Sequence, residues 1–149
     1  MNGFDVTVTD YPGKELVGIK VRTTMAKAKE DCTALWQSFC PMMQNLAKGQ
    51  GYGISIMLSA QDFEYWTAVE APKGATPAGV EAVSIPAGAY ARCTVPNLES
   101  IGAGYMFLYQ TWVGAQQEWK ISEQGPCFEL YAADWTPGMP IDLFMPVKR

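Results

Sequence analysis

Residues 80–95 read VEAVSIPAGAYARCTV. Apolar side chains alternate on both sides of Pro86 and Gly88, which predicts a strand, a tight turn and a second strand. The same syntax stands near the N-terminus. FDVTVT (4–9) alternates as a strand, YPGKE (11–15) forms a turn or bulge, and LVGIKVRT (16–23) resumes the strand. Pro12 and Pro86 are 74 positions apart, as are Val21 and Val95, and Pro72 and Pro146. Several markers agreeing at one offset indicate an internal duplication.

The segment after each strand pair also repeats. From about residue 25 the apolar period changes to three and four: Ala28, Cys32, Leu35, Trp36, Phe39, Met43 and Leu46 mark one helical face. Thr24 is the expected N-cap, KGQG (48–51) the expected end, and Pro41 is expected to kink or divide the helix. In the second half, residues 97–119 form the matching helix, with Asn97 as N-cap and a stripe of Ile101, Tyr105, Leu108, Tyr109 and Trp112. Segments 52–58 and 62–71 read as a hairpin turning around Ser59–Gln61, and CFELYAA (127–133) and IDLFMPV (141–147) as two further strands. The pattern gives two β-α-β-β units, about 1–72 and 80–149, joined by a linker at 73–79. The expected fold is one α+β domain spanning 1–149, with a mostly antiparallel sheet and two long helices. Two such halves about a pseudo-twofold leave a ligand groove between them.

Composition narrows the chemistry. The 149 residues are 48% apolar and 17% charged, so the chain is globular and large enough for a real core. Its net charge of −4 offers no basic footprint, and direct nucleic-acid binding is not expected. No charged-then-apolar leader and no long apolar span is visible, which predicts a soluble, cytoplasmic protein without a membrane partner. Cys32, Cys40, Cys93 and Cys127 form no CxxC pair and are expected to be reduced, mostly buried thiols. The chain has no histidine, which removes Ser-His-Asp and Cys-His catalysis and the usual zinc sites. GAGYMF and GQGYG match neither the dinucleotide fingerprint nor the P-loop. No cofactor and no metal is expected.

One residue breaks the apolar pattern. In GPCFELYAADW (125–135), Glu129 stands in a run of buried-strand residues, where a lone carboxylate is costly unless something pairs with it. Strand alternation puts Cys127, Glu129 and Tyr131 on one face and Phe128 and Leu130 on the other. At the repeat offset Glu129 falls on Ser55, so the carboxylate is particular to the second half. It either lies on a solvated face or pairs with Arg92 or Lys20, or it sits in an aromatic groove and titrates upward or meets a cation. Aromatic residues number 18. Trp36 and Phe39 fit core packing. Trp66, Tyr90, Tyr105, Tyr109, Trp112, Tyr131 and Phe144 are the candidates to line the groove with Glu129, forming a cage for a lipophilic cation. Eight methionines would make such a pocket adaptable.

The second half resembles the GyrI-like small-molecule-binding family, the effector-binding domain of AraC-type and MerR-type multidrug-sensing transcription regulators. The residues that carry the resemblance are VSIPAGAYARCTV, the helix ending YQTWVGAQQEW, GPCFELYAADW and PIDLFMPV. The shared tail is a strand Glu and Tyr, here Glu129 and Tyr131, and a last strand ending at Met145, Pro146 and Val147. The resemblance implies a curved antiparallel sheet with two helices, and it implies that Glu129 is the family's buried ligand glutamate, which contacts lipophilic cationic compounds. The family's usual helix-turn-helix is not visible, so the expected form is a stand-alone effector-binding domain used in drug sensing or sequestration. Two alternatives stay open. One is a small-molecule hydrolase with Glu129 as general base and Tyr90, Tyr109 or Trp66 orienting the electrophile. The other is a protein-interaction module of gyrase-inhibitor type.

Overall fold

A computed structural model describes residues 5–24, 26–43, 50–59, 61–70, 79–122, 126–132 and 138–149. In chain order the strands are β1 (Val6–Tyr11), β2 (Lys14–Thr24), β3 (Gly51–Met57), β4 (Asp62–Glu70), β5 (Glu81–Ile85), β6 (Gly88–Val95), β7 (Lys120–Ile121), β8 (Cys127–Tyr131) and β9 (Ile141–Lys148). Helix α1 (Ala28–Met43) follows β2. The second helical stretch, α2, begins with a 3-10 turn at Leu98–Ser100 and an α-helix at Ile101–Met106. It widens into a π-helical segment at Phe107–Trp112 and closes with one α-turn at Val113–Ala115.

All strand pairs are antiparallel, in the order β1-β6-β9-β8-β3-β4-β2-β5, with β7 alongside β9. Exchanging the halves reverses this order, so the duplication appears as a pseudo-twofold between β3 and β8. Its position comes from the register: Gly53 faces Glu129 and Ser55 faces Cys127 on either side of the Ile54–Phe128 pair, and 54 and 128 are themselves 74 apart. The marker Pro72–Pro146 does not obey this rule. Ile54 faces Trp66 and Phe128 faces Phe144, which relates β4 to β9 at an offset of 78. Pro146 lies inside β9, while Pro72 and the linker residues to 78 are outside the described residues.

The order forces the sheet to curl. In a flat sheet β1 and β2 would lie six strand spacings apart, about 29 Å. Yet Tyr11 and Lys14 are three residues apart in the chain, a reach of at most about 11 Å. Ile85 and Gly88 impose the same limit on β5 and β6. Tyr11 is therefore carried onto the helix-free face, where its ring meets Phe128 at 5.1 Å, Phe144 at 5.7 Å and Tyr90 at 5.9 Å. Phe128 stacks on Phe144 at 4.4 Å. With Leu16, Tyr52, Ile54 and Trp66 they form a core without a helical residue, buried by the curl of the sheet itself. The opposite face is covered by the helices. Leu108, Tyr105 and Trp112 of α2 pack with Cys93, Val95, Tyr131, Leu143 and Met145, and Phe39 of α1 packs with Val17, Val69 and Val80.

Several local expectations shift. Thr24 ends β2 instead of capping a helix; its carbonyl accepts the Lys27 N–H in a turn, and α1 begins at Ala28. Pro41 lies within the last turn of α1, two residues before Met43. Asn97 does cap, accepting from Ser100 N and Oγ. The second helix ends at Ala115 instead of 119, where Gln116 takes over: its amide accepts from Trp119 N and donates to Trp119 O. The residues of KGQG to 49, and Ala60 in the hairpin turn, are outside the described residues.

Close strand packing yields a stability prediction. A Cβ at Gly18 would collide with the Thr67 carbonyl oxygen and come within 2.8 Å of Ala68 Cα, all backbone of the neighbouring strand. Gly18→Ala should therefore lower the unfolding free energy in urea by about 1–3 kcal/mol. Gly102→Ala, with open space around its Cβ on α2, should raise it by up to about 1 kcal/mol. Equal midpoints for the two variants would contradict this packing.

Candidate functional site

Glu129 lies near the middle of the sheet, beside the pseudo-twofold, on the face the helices cover. It is 3% exposed, which excludes a solvated face. It also makes no ion pair among the described residues. Lys20 is drawn to Glu64 and Glu81, and Arg92 to Asp142, so both cations expected from the sequence are engaged elsewhere. Three phenols take their place. Tyr65 Oη donates to Glu129 Oε1 at 2.9 Å, Tyr131 Oη to the same oxygen at 3.1 Å, and Tyr105 Oη to Oε2 at 2.9 Å. Tyr65 in turn accepts the Trp36 indole N–H at 2.9 Å.

Each donor arrives for a local reason. Tyr131 is two residues from Glu129 on its own strand, hence on the same face. Tyr65 lies on β4, one strand beyond β3, and must reach across β3 to touch Glu129. The residue it crosses is Gly53. A Cβ there would collide with Tyr65 Oη and lie 2.6 Å from Glu129 Oε1, so the missing side chain is the space the pair occupies. Tyr105 descends from α2, which sits close to the sheet because Gly104 is buried: a Cβ there would approach Leu143 and Val95 side-chain carbons at 2.5 and 2.6 Å. From α1, Trp36 packs edge-on against Tyr131 at 5.1 Å.

The three neutral donors offset part of the cost of burying the charge. Burying an unpaired carboxylate costs several kcal/mol, and hydrogen bonds to a charged group return about 1.5–3 kcal/mol each. Burial is the larger influence on titration and raises the Glu129 pKa; the bonds from Tyr105, Tyr65 and Tyr131 work against it. The surrounding acids shift upward as well. Burial, followed by the charge of Glu129, pushes the Cys32 thiol up to about 12. Burial raises Cys127 to about 11, opposed by its contact with the Tyr109 hydroxyl. Both thiols are protonated at neutral pH. Among the described residues no group of three or more potential ligands could hold a metal ion.

The candidates divide between the two faces. Glu129, Tyr131 and Tyr105 meet directly, and Tyr109 reaches the neighbouring Cys127. Trp112 packs into the helix-side core. Trp66, Tyr90 and Phe144 belong to the helix-free core, on the far side of the sheet from the carboxylate; the Trp66 indole donates to Glu64 at 3.1 Å and the Tyr90 hydroxyl to the Pro86 carbonyl at 2.8 Å. Sequence reasoning passed over Tyr65 and Gly53, and placed Trp36 in the core alone. The available signal was the alternation of DFEYWTAVE: Tyr65 and Trp66 must face opposite ways, and only one can share a face with Glu129.

The architecture has known counterparts. A family model described as integron-associated effector binding protein matches residues 7–147. Among solved structures, an integron cassette protein from Vibrio cholerae superposes with a TM-score of 0.72 at 17% identity, covering 98% of both chains. SAV2435 bound to tetraphenylphosphonium gives 0.77 at 18% identity, covering 97% of this chain and 94% of that one. The EcmrR C-terminal domain gives 0.66 at 12% identity over 98% of each chain. These are GyrI-like domains, as the sequence resemblance implies. No curated protein matches the chain. No helix among the described residues is long and apolar enough to cross a membrane.

The buried carboxylate should leave a signature in stability. Its pKa is raised by folding, so the native state binds the proton more tightly than the unfolded chain, whose glutamates titrate near about 4.3. Its contribution to stability is complete below that value and is lost as pH rises through the raised native value. Urea unfolding of wild type and Glu129→Gln across pH 3–8 should show this decline in wild type only. Parallel curves would contradict a carboxyl held above its ordinary range.

Proposed function

This chain belongs to the family of integron-associated effector binding proteins, and on that premise we propose that it binds lipophilic organic cations, with Glu129 as the charge that selects them. The observation that carries this reading is a carboxylate almost fully withdrawn from water, surrounded by aromatic rings, and satisfied, among the described residues, by neutral donors. Neutral donors stabilise the anion without cancelling its charge. A bulky cation with a diffuse charge loses little hydration on entering such a place and gains both the field of the carboxylate and the ring faces, at about 0.5–2 kcal/mol per cation–π contact. The tetraphenylphosphonium seen in SAV2435 is a ligand of this type in a protein of the same fold. The net charge of −4 supports a small-molecule partner in preference to nucleic acid.

Drug sensing or sequestration is the biological use that this chemistry suits, and no cofactor enters it. A hydrolytic role for Glu129 draws less support. A general base needs a water within hydrogen-bond reach, and Glu129 is almost fully withdrawn from solvent.

Binding and protonation oppose each other here. A proton on Glu129 removes the charge that a cation seeks, so affinity should fall as pH drops through the raised pKa.

The direct measurement is a thermal shift with tetraphenylphosphonium and rhodamine 6G, beside neutral triphenylphosphine oxide. A cation at 100 times its dissociation constant should add about 2.7 kcal/mol, roughly 5–10 °C for a domain of this size. Glu129→Gln should abolish the shift. Equal stabilisation by the neutral compound, or an undiminished shift in Glu129→Gln, would overturn the proposal.

A further inference from the structure

The pseudo-twofold places a second position beside the glutamate. Its axis passes through the Ile54–Phe128 pair, so Glu129 is carried onto Ser55 and Gly53 onto Cys127. The pairs Gly53–Glu129 and Ser55–Cys127 are therefore images of each other on the same face of the sheet. They lie two residues apart along the strands, about 7 Å. One is closed and charged, the other open and neutral. Ser55 and Cys127 are only half-buried, and the Ser55 hydroxyl has no side-chain partner among the described residues. Tyr109, 39% exposed, reaches from α2 to Cys127. Met57, two residues beyond Ser55 on the same face, is 51% exposed. An exposed tyrosine and methionine thus flank a hydroxyl and a protonated thiol, one strand step from the carboxylate.

We propose that the Ser55–Cys127 position is a neutral subsite, walled by Tyr109 and Met57, and that the ligand is an elongated organic cation. Its charged centre sits at Glu129, and its aromatic, uncharged tail lies over the twin position about 7 Å away. The inference rests on cation binding at Glu129 and adds the shape of the ligand to it. The chemistry of each half decides the orientation. The enclosed half holds the only carboxylate of the two pairs and takes the charge. The open half offers a phenol ring, a thioether and a hydroxyl, which suit a flat ring carrying at most a hydrogen-bonding group. The duplication accounts for the arrangement: two equivalent positions existed by symmetry, and a single acidic side chain made them unequal.

A homologous series tests this: phenylalkyl-trimethylammonium ions with one to five methylenes, titrated calorimetrically into wild type, Tyr109→Ala, Met57→Ser and Glu129→Gln. Both subsite residues are exposed, so their replacements should fold as wild type does, which thermal midpoints check. In wild type, affinity should peak where the linker spans about 7 Å, about tenfold above the one-methylene member, the worth of one well-placed aromatic contact. Tyr109→Ala and Met57→Ser should flatten that peak, and Glu129→Gln should lose the whole series. A steady rise with length, the same in wild type and both subsite variants, would overturn the subsite while leaving the cation site standing. No binding to wild type, or equal binding by Glu129→Gln, would overturn the cation site and the subsite with it.

Discussion

A buried carboxylate with no counter-ion among the described residues is the constraint around which this molecule is arranged. Glu129 can remain under the helices only because three hydroxyl groups converge on two oxygen atoms. They come from three elements: β4, β8 and α2. The indole N–H that fixes the Tyr65 hydroxyl comes from a fourth, α1. Two of these elements belong to the first half of the chain and two to the second. The polar cluster thus ties the halves together across the pseudo-twofold, at the place where sheet pairing alone would leave an apolar seam.

Glycines make the convergence possible. Gly53 lets the Tyr65 phenol lie against the strand it crosses, and Gly104 lets α2 settle low enough for Tyr105 to reach Oε2. Neither has a positive φ; each serves by having no side chain. The π-helical widening at Phe107–Trp112 begins two residues after Tyr105 and contains Tyr109. An extra residue per turn rotates the later side chains relative to an ideal α-helix, which places the two tyrosines on separate partners, Glu129 and Cys127.

The two faces of the sheet divide the aromatic residues by task. One set, Tyr11, Tyr52, Trp66, Tyr90, Phe128 and Phe144, fills the space inside the curl. The other, Trp36, Tyr65, Tyr105 and Tyr131, surrounds the carboxylate. The curl explains why a face without helices requires so many large rings. Short links at Pro12–Gly13 and Pro86–Ala87 hold opposite edges of the order within a few residues of each other, and the interior they enclose has to be filled.

The sequence by itself determined the duplication, the α+β class, every strand of the main order and both helical regions, though not the short β7, because period and turn chemistry are local and Pro12 and Pro86 punctuate both halves alike. It also singled out Glu129, since one carboxylate in an apolar strand is anomalous wherever the strand lies, and strand alternation put Tyr131 beside it. Tertiary structure decided the rest. Which aromatics join the site depends on the parity of each strand relative to its neighbours, and parity is fixed by register. A choice between Tyr65 and Trp66, adjacent in sequence and on opposite faces, turns on the pairings Ser55–Tyr65 and Ile54–Trp66. The offset of 78 between β4 and β9 lies in the longer connection before β9, which a proline marker at 74 concealed. The role of Gly53 was out of reach for the same reason: a glycine shows what it makes room for only when strands from both halves are laid side by side.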